Sequence, residues 1–493
     1  MSEKTVRGTF LSRDLSVLIA VLMLAVILRI YLIGNHGLWQ DELSSLRFAK
    51  FSLTELIREV AAIDNHPPTY YIILHYWISI FGESEASLRM PSAIFSVLSV
   101  LYTYKVGKML FNTRVAEMAG LLLAVSAFSI YYAQEARMYS FLAFTSVLSL
   151  YFLLKYLDKQ TNWSLFNYVW SSTLLVYTHL YGLFVLFAES LYVLLVFFIY
   201  SEKSVGIDVK KWLWAQIGIL LLALPWLIWL IDRILIVNEH GFWVETPGLN
   251  SILKTFAAFS GTTRGLPIWG VALVLGMSFL LIIKTALGKR VLGEQSTLDE
   301  GRAVLLLSLL LLTPILLPYL ASNYVTPIYI IRCTIAGHSA FCLLVAVGIE
   351  RIRLNPVRYA LYAMVLIMSA RAIAAEDYVH RNAAQIRQAV EYIERNAGKD
   401  DVVIVCGDSH LEKPFRYYTQ QHNNLVNIRY LREPVAEIVY PEGLEAEQVW
   451  FVRRTDRVVW CGELLNVISN QYQQKIKSGT TFKKLDLTAF TKG

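Results

Sequence analysis

Charged residues are scarce in this 493-residue chain. Only 17% of its residues are Asp, Glu, Lys or Arg, against about 25% in an average soluble protein. Hydrophobic residues make up 56% of the chain, and the mean hydropathy is +0.47. A soluble fold of this length cannot cover so much apolar surface, so most of the chain is expected to face lipid. The net charge of +7 then indicates cytoplasmic loops rather than a nucleic-acid partner.

Cysteines and nucleotide-binding motifs are also few. The four cysteines are Cys333, Cys342, Cys406 and Cys461, and none has the spacing of a metal site. Cys406 and Cys461 are able to pair in an oxidising compartment, and the sequence leaves this open. Gly407 follows an apolar strand without a GxGxxG or P-loop pattern, so no nucleotide site is expected there.

Apolar runs of spanning length recur between short charged breaks, because about 20 apolar residues are needed to cross a bilayer. They predict eleven transmembrane helices, near 15–33, 91–110, 115–132, 139–157, 166–179, 182–200, 212–231, 266–284, 303–320, 333–350 and 357–375. Lys and Arg before the first run place the N-terminus in the cytoplasm, and eleven crossings place the C-terminus outside it. The first run has no small-residue cleavage site, so it is expected to be retained as a span.

The loop after the first span contains two short segments that are not expected to cross. Residues 67–81 are too short to span and open with Pro67 and Pro68, which suits the start of an interfacial helix. Residues 53–61 predict a second, amphipathic helix in the same loop.

Residues 376–493 change character and predict a small α/β domain outside the cytoplasm, whereas residues 1–375 form the membrane domain. Helices are expected near 379–396, 411–421 and 462–476, and strands near 401–407, 425–431, 448–453 and 480–490.

Polar side chains typical of catalysis gather on the non-cytoplasmic side of this topology. Asp41 and Glu42 follow the first span, where two carboxylates are costly to place, so they either serve chemistry or solvate a loop. The same loop contributes His66, and the other loops on that side contribute Glu135, Arg137, Tyr139, His179, Tyr181, Trp243 and Arg332. This asymmetry indicates an enzyme at the membrane surface. A transporter would instead need internal repeats and ionisable groups at mid-span. Glu189 is the main such group, and it either packs helices or lines a site.

Five motifs, in this order, resemble the bacterial glycosyltransferase family 39. They are Trp39-x-Asp-Glu42, His66-Pro-Pro-x-Tyr-Tyr71, Gly82-x-Ser-Glu-x-x-x-Arg89, Tyr132-x-Gln-Glu-Ala-Arg-Met-Tyr139 and Tyr177-x-His-x-x-Gly182. This family belongs to the GT-C superfamily, together with protein O-mannosyltransferases and the lipid A aminoarabinose transferase. The resemblance covers residues 30–350.

The resemblance implies a GT-C fold, with a bundle of spanning helices and interfacial helices in the first external loop. It also implies that a sugar is transferred, with inversion, from a polyprenyl-phosphate carrier to a hydroxyl of a protein, a glycolipid or an envelope glycan. This would occur on the outer face of the cytoplasmic membrane of a prokaryote. One alternative is an oligosaccharide ligase or polymerase on the same scaffold, and another is a lipid or sugar transporter.

The resemblance also implies roles for individual residues. Asp41 would be the general base that takes the acceptor's proton. Glu42 would orient Asp41, bind the acceptor or have a structural role. Arg332 is the first candidate to bind the departing phosphate, because Arg forms two parallel hydrogen bonds to it. The alternative for Arg332 is snorkelling to the interface.

Arg137 is the second candidate for the phosphate, unless it forms an ion pair with Glu135. His66 would contact the phosphate or the acceptor, or else pack the loop. The sugar pocket would be lined by Tyr139, His179, Tyr181 and Trp243. The alternative for His179 and Tyr181 is packing.

The second external loop departs from the eukaryotic mannosyltransferase pattern. An aspartate usually stands where this chain has Tyr139, and Glu135 would be the second catalytic carboxylate instead. Asp41 and Glu135 alone make a poor cage for a divalent cation. A metal is therefore not expected to be required, nor is any cofactor beyond the lipid-linked sugar donor.

Overall fold

The chain folds into two units in the structure, which is a computed structural model. It describes residues 3–200, 208–240, 244–261, 300–375, 385–398, 400–421, 427–431, 448–455, 473–477 and 484–491, with a few isolated residues between them. The first unit comprises Met1–Tyr31, Phe48–Gly82 and Leu88–Ala375. The second comprises Leu32–Arg47, Glu83–Ser87 and Glu376–Gly493, so it is discontinuous in sequence.

Helices account for nearly all of the described chain up to residue 375, as the apolar runs predict. They are α1 (Glu3–Ile30), α2 (Gln40–Lys50), α3 (Leu53–Ile63), α4 (Thr69–Phe81), α5 (Glu85–Leu110), α6 (Thr113–Ala124), α7 (Ala127–Ala133), α8 (Tyr139–Lys159), α9 (Asn162–Val176), α10 (Tyr181–Tyr200), α11 (Val209–His240), α12 (Leu249–Phe259), α13 (Glu300–Tyr324), α14 (His338–Glu350) and α15 (Asn355–Ala375). A 3-10 helix at Ile331–Gly337 leads directly into α14.

Seven helical segments of the described chain are long and apolar enough to cross a membrane. They are α5, α8, α10, α11, α13, α15, and α14 together with the 3-10 helix before it. Helices α6 and α7, which meet at an angle of 57°, make an eighth if they form one broken span. Helix α1 and the 15-residue α9 are not in this group, and the span expected at 266–284 lies outside the described residues. The expected fold class, a polytopic helical membrane protein with a small C-terminal α/β part, is confirmed.

Arg29 is fully buried at the break between α6 and α7. Its guanidinium donates to the carbonyl oxygens of Leu123 and Ala124, at 3.1 and 2.9 Å, in the last turn of α6. It also donates to the hydroxyls of Ser96 and Ser129. The last carbonyls of a helix lack partners within the helix and carry partial negative charge, so a cation is stabilised there. One side chain thereby supports the change of direction.

Glu189 is fully buried where α8, α9 and α10 meet. Its carboxylate accepts a hydrogen bond of 2.9 Å from the Ser149 hydroxyl, which lies 3.0 Å from the hydroxyl of Ser172. This arrangement favours the packing role over a role in lining a site.

The two short helices expected after the first span are α3 and α4, and neither is long enough to cross. Helix α3 begins with a reciprocal cap, in which the backbone amide of Ser52 donates to the Glu55 carboxylate at 3.3 Å. It buries Leu56 and Val60 and exposes Ile57, as expected of an amphipathic helix.

The C-terminal residues of the second unit form an α/β fold. Its elements are α16 (Ile386–Asn396), β1 (Val402–Cys406), α17 (Ser409–Gln421), β2 (Asn427–Leu431), β3 (Gln448–Arg454), β4 (Gln473–Lys477) and β5 (Leu485–Thr491). The strand order is β2-β1-β3-β5-β4. Strand β1 is parallel to β2 and β3, whereas β5 is antiparallel to β3 and β4. All five residues of β1 are buried, as its continuous apolar run predicts.

Cys406, at the end of β1, is disulfide-bonded to Cys461, which is the pairing that the sequence left open. Cys333 and Cys342 are buried and not disulfide-bonded. The helix expected over 462–476 is wrong at its C-terminal end, because Gln473–Lys477 form β4 and pair with β5. Gln and Lys favour helices by intrinsic propensity, and pairing with a neighbouring strand outweighs that weak preference.

Candidate functional site

A tight turn between α3 and α4 brings Asp64 and His66 together in the first unit. Helix α3 ends at Ile63, and α4 begins at Thr69, directly after the two prolines. The Asp64 carboxylate accepts the backbone amide of His66 at 3.1 Å, which is the turn that Asp side chains favour. The same carboxylate oxygen lies 2.6 Å from His66 Nδ1. The imidazole is therefore oriented by a carboxylate two residues before it.

Tyr71 connects this turn to Arg137. Its hydroxyl donates to the second oxygen of Asp64 at 2.6 Å and accepts from Arg137 Nη1 at 3.0 Å. Tyr71 is fully buried and Arg137 is 4% exposed. Asp64, Tyr71 and Arg137 thus form one hydrogen-bonded chain.

The pKa of Asp64 lies well below its usual range. Burial alone would raise this pKa, but the adjacent His66, the charge of Arg137 and the Tyr71 hydroxyl outweigh burial. The pKa of the Tyr71 hydroxyl is raised, chiefly by burial, so this group stays protonated and keeps donating to Asp64.

His179 lies in the bend between α9 and α10 and faces the same region. Its ring centroid is 5.0 Å from that of His66. The backbone amide of Tyr181 donates to His179 Nδ1 at 3.1 Å, so the neutral ring carries its proton on Nε2, 3.6 Å from the sulfur of Cys333. Burial lowers the pKa of His179, and the neighbouring His66 and Arg137 lower it further. His179 is therefore a neutral hydrogen-bond donor and not a cation.

The bend that carries His179 requires a glycine. A Cβ atom at Gly182 would lie 2.6 Å from the carbonyl oxygen of Leu175. The final glycine of the motif that ends at Gly182 therefore allows α9 and α10 to approach closely.

Arg332 and Tyr139 complete the group. The guanidinium carbon of Arg332 lies 5.2 Å from the centroid of the Tyr139 ring, within the range of a cation–π interaction. The Tyr139 ring in turn lies 6.4 Å from that of His179. Arg332 stacks on a ring in this arrangement, whereas a snorkelling Arg332 would extend alone toward the interface.

Tyr181 ties down the extended segment that precedes Arg332. Its hydroxyl donates to the carbonyl of Ile328 at 3.0 Å and accepts the amide of Ile330 at 3.2 Å. Tyr181 thus positions the segment that leads to Arg332. These contacts favour a packing role for Tyr181 over a role in lining the sugar pocket.

Together these side chains form a continuous group, which we call the polar cluster. Its members are Asp64, His66, Tyr71, Arg137, Tyr139, His179 and Arg332. They lie in or next to four connections between helices, so residues distant in sequence meet at the ends of packed helices. Glu135, two residues before Arg137, is 4% exposed, and its carbonyl oxygen accepts the Arg137 amide at 2.8 Å.

The sequence assigned no role to Asp64, Tyr71 or Cys333, although the structure places all three in contact with expected site residues. For Asp64 a signal was present, because an aspartate two residues before a histidine is suited to cap and orient it. Trp243, expected in the sugar pocket, lies outside the described residues.

Asp41 and Glu42 belong to the second unit, in the first turn of α2. Asp41 is partly exposed, whereas Glu42 is fully buried. The Glu42 carboxylate accepts the backbone amide of Trp39 at 3.4 Å, which caps the start of the helix. This contact supports a structural role for Glu42, one of the three roles expected for it.

The chemistry available in the polar cluster is that of anion binding. Two guanidinium groups, an imidazole held by a carboxylate and a tyrosine hydroxyl supply donors suited to a phosphate. Among the described residues, no group of three or more His, Cys, Asp or Glu side chains has the arrangement of a metal site.

Comparison with known proteins gives one family match. Residues 65–229 match the family model of dolichyl-phosphate-mannose-protein mannosyltransferases. This range contains most of the polar cluster. No curated protein matches the chain.

Solved structures share the fold at low sequence identity. ArnT from Cupriavidus metallidurans in the apo state is 13% identical, with 98% of each chain covered and a TM-score of 0.54. The same protein bound to undecaprenyl phosphate is 12% identical, with the same coverage and a TM-score of 0.55. The archaeal oligosaccharyltransferase AglB from Archaeoglobus fulgidus is 12% identical, covers 90% of this chain and 69% of its own, and has a TM-score of 0.50. These comparisons show that the chain shares the fold of these solved structures and that residues 65–229 resemble dolichyl-phosphate-mannose-protein mannosyltransferases.

Proposed function

We propose that this protein transfers a sugar, with inversion, from a polyprenyl-phosphate carrier to a hydroxyl acceptor. The carrier phosphate would bind at the polar cluster, and Asp41 would act as the general base. The observation that carries the proposal is the convergence of Arg137, which is buried, with Arg332 and His66, which are partly exposed, within one group. A further support is that one of the structures with this fold is ArnT bound to undecaprenyl phosphate.

The donor side of the reaction requires stabilisation of a departing phosphate. As the bond between the anomeric carbon and the phosphate oxygen breaks, negative charge grows on that oxygen. Donors that are already oriented stabilise such charge without reorganising during the reaction. Arg137 is held by Tyr71 and His66 by Asp64, so both are oriented before the donor arrives. Arg332 would supply the second guanidinium.

The acceptor side requires removal of one proton. The acceptor oxygen attacks the anomeric carbon while its proton passes to the Asp41 carboxylate, and the phosphate leaves with the bonding electrons. A single displacement inverts the anomeric centre, so no covalent sugar intermediate on the protein is needed. Asp41 lies in the first turn of α2.

The proposed location is the cytoplasmic membrane of a prokaryote, with the C-terminal residues outside the cytoplasm. The chain is a multi-pass membrane protein. The distribution of Lys and Arg favours a cytoplasmic N-terminus. The disulfide between Cys406 and Cys461 supports an oxidising surrounding for the C-terminal residues.

A second candidate is transfer of an oligosaccharide instead of a single sugar. This candidate function is supported by the fold shared with AglB, which was solved with an inhibitory peptide and a dolichol-phosphate. The same phosphate site and the same base would serve both reactions. The mass added to the acceptor distinguishes them.

The decisive experiment compares envelope glycans by mass spectrometry in cells with and without the gene. Loss of one sugar from one acceptor class is expected, and wild-type protein should restore it. Asp41→Asn should not restore it, while undecaprenyl phosphate, used as a binding probe, should bind this variant as tightly as wild type. Asp158→Asn, an exposed carboxylate on α8, serves as the control and should restore the glycan fully.

Three results would contradict the proposal. They are an unchanged glycan profile without the gene, full restoration by Asp41→Asn, or movement of the carrier lipid between leaflets without a new glycosidic bond. That transfer requires no metal stays a prediction. It is tested by measuring transfer by the purified protein in the presence of EDTA, where activity should be retained.

A further inference from the structure

Segment Leu32–Arg47, which leads into α2 and its two carboxylates, belongs to the same unit as the C-terminal α/β residues. Three side chains from the C-terminal residues hold it there, namely Arg387 of α16 and Ser409 and Tyr418 of α17. We call these three side chains the clamp.

The Tyr418 hydroxyl both accepts and donates a hydrogen bond in this arrangement. The backbone amide of Leu38 donates to the hydroxyl oxygen at 2.6 Å, and the hydroxyl donates to the Glu85 carboxylate at 3.1 Å. Tyr418 and Leu38 are each 2% exposed, so water cannot readily replace either bond. Loss of the hydroxyl would leave the Leu38 amide buried without this acceptor.

Arg387 holds the backbone just before that point. Its guanidinium donates to the carbonyl oxygens of Gly34 and Asn35, at 3.3 and 2.8 Å. The same group pairs with the Glu85 carboxylate at 2.9 Å. The planar guanidinium thus joins two successive carbonyls to a carboxylate that also binds Tyr418.

The segment approaches the clamp closely at Gly37. A Cβ atom there would lie 3.2 Å from both the Arg387 Cβ and the Tyr418 hydroxyl, so only glycine fits without displacement. One residue into α2, the Ser409 hydroxyl lies 3.2 Å from Gln40 Oε1. Ser409 begins α17, directly after the turn that follows β1.

The contacts of the clamp lie directly before the proposed base, Asp41, in the chain. Leu38 is the last clamped backbone amide, and α2 starts two residues later, with Asp41 in its first turn. The first turn of α2 closes here, because the Leu43 amide donates to the Trp39 carbonyl at 3.0 Å. Holding Leu38 and Gln40 therefore fixes the direction in which α2 leaves the clamp.

We propose that the C-terminal residues position the base for sugar transfer, with Arg387, Ser409 and Tyr418 holding segment 32–47 so that Asp41 keeps one orientation. This inference rests on the proposed function. Arg387, Ser409 and Tyr418 are positioning residues, since they act through the segment and not on the substrate. A general base works only within hydrogen-bond reach of its proton, so a shift of about 1 Å lowers the rate by about 100-fold.

The first test is hydrogen exchange, followed by mass spectrometry, on the full-length protein in lipid nanodiscs. Tyr418→Phe should make the amides of peptide 32–47 exchange about tenfold faster, the change expected when one ordinary hydrogen bond is lost. Arg387→Ala should do the same. Tyr392→Phe is the matched control, because Tyr392 lies on α16 with its ring against Trp450 and Phe482, and it should leave this peptide unchanged.

The second test measures function in the same variants. Tyr418→Phe should restore about tenfold less glycan than wild type in cells that lack the gene, as expected for a misplaced base. Its affinity for undecaprenyl phosphate should stay within about twofold of wild type. Tyr392→Phe should match wild type in both measurements.

Each other outcome overturns the inference. Unchanged exchange in both clamp variants means that the segment is not held. Faster exchange with full glycan restoration means that holding the segment does not position the base. Equal loss of glycan and of undecaprenyl phosphate binding means that the clamp supports the whole fold. Failure of the proposed function is recognised separately, because the glycan profile would then be unchanged without the gene, or Asp41→Asn would restore it fully.

Discussion

His66 Nδ1 lies 2.6 Å from Asp64 Oδ1, so the imidazole is fixed with its Nε2 edge turned away from the carboxylate. The other oxygen of Asp64 binds Tyr71, which binds Arg137. One carboxylate therefore orients two of the three groups proposed to hold the donor phosphate. Its removal should affect both the stability of the first unit and the binding of a phosphorylated lipid.

The ionised form of Asp64 is expected to stabilise the fold at neutral pH. Its pKa in the folded protein is depressed, so its contribution is fully present above the unfolded value of about 3.9 and is lost as pH falls further toward the folded pKa. Asp64→Asn should lower the unfolding temperature most at pH 6–8, and the difference from wild type should shrink below about pH 4. Thermal unfolding in detergent across this pH range measures it.

Glu59→Gln on α3 is the control for this prediction, because Glu59 is partly exposed and makes only a 4.0 Å ion pair with Arg58. A difference between Asp64→Asn and wild type that does not depend on pH would contradict the proposed charge state.

Tyr71→Phe is expected to break the chain between Asp64 and Arg137. A hydrogen bond to a charged group contributes about 1.5–3 kcal/mol, and this hydroxyl makes two such bonds. Undecaprenyl phosphate should bind this variant about tenfold more weakly, because Arg137 loses an orienting partner.

Tyr70→Phe provides a close comparison, since Tyr70 is also buried but bonds to the Ser92 hydroxyl at 2.8 Å. It should cost some stability and leave binding near wild type. Equal weakening by the two variants would show that the effect is not specific to the polar cluster.

Arg332→Ala is expected to weaken donor binding or slow departure of the phosphate. A charge-assisted, well-oriented contact of this kind typically accounts for about 10- to 100-fold in affinity. Arg353→Ala removes the same charge at an exposed site beyond α14 and should have no effect. Titration with undecaprenyl phosphate compares the two, and equal affinities would remove Arg332 from the phosphate site.

The disulfide should stabilise the second unit. It closes a separation of 55 residues, and chain-entropy reasoning gives a contribution of about 4 kcal/mol. Cys406→Ser should lower the unfolding temperature of the oxidised protein and leave that of the reduced protein nearly unchanged. Labelling with a maleimide before denaturation should find no reactive thiol in wild type, because Cys333 and Cys342 are buried. Rapid native labelling of wild type would count against the disulfide.

The sequence predicts those features of the structure that one dominant physical effect decides. Apolar runs such as 303–320 must meet lipid or a protein core, and they appear as long helices. The prolines after His66 begin α4 as expected. Among the described site residues, His66, Arg137, Tyr139, His179 and Arg332 come together in the first unit.

The remaining features depend on partners that are distant in the chain. In the sequence, Asp64 is one of several loop carboxylates. Its role follows only from its bonds to His66 and Tyr71, which the sequence does not show. Residues 473–477 have helix-forming composition and become a strand only because β5 is beside them. Similarly, nothing near Leu38 in sequence indicates that its amide binds Tyr418.

The separation of Leu38 and Tyr418 by 380 residues has a consequence for biosynthesis. A ribosome that adds about 5–20 residues per second needs about 20–80 s to travel from one to the other. During that interval the first helices are already available for insertion, while the loop with the proposed base lacks its final support. The proposed support of Asp41 can therefore form only after Tyr418 has been made, and a product terminated before that residue is expected to enter the bilayer without gaining transferase activity.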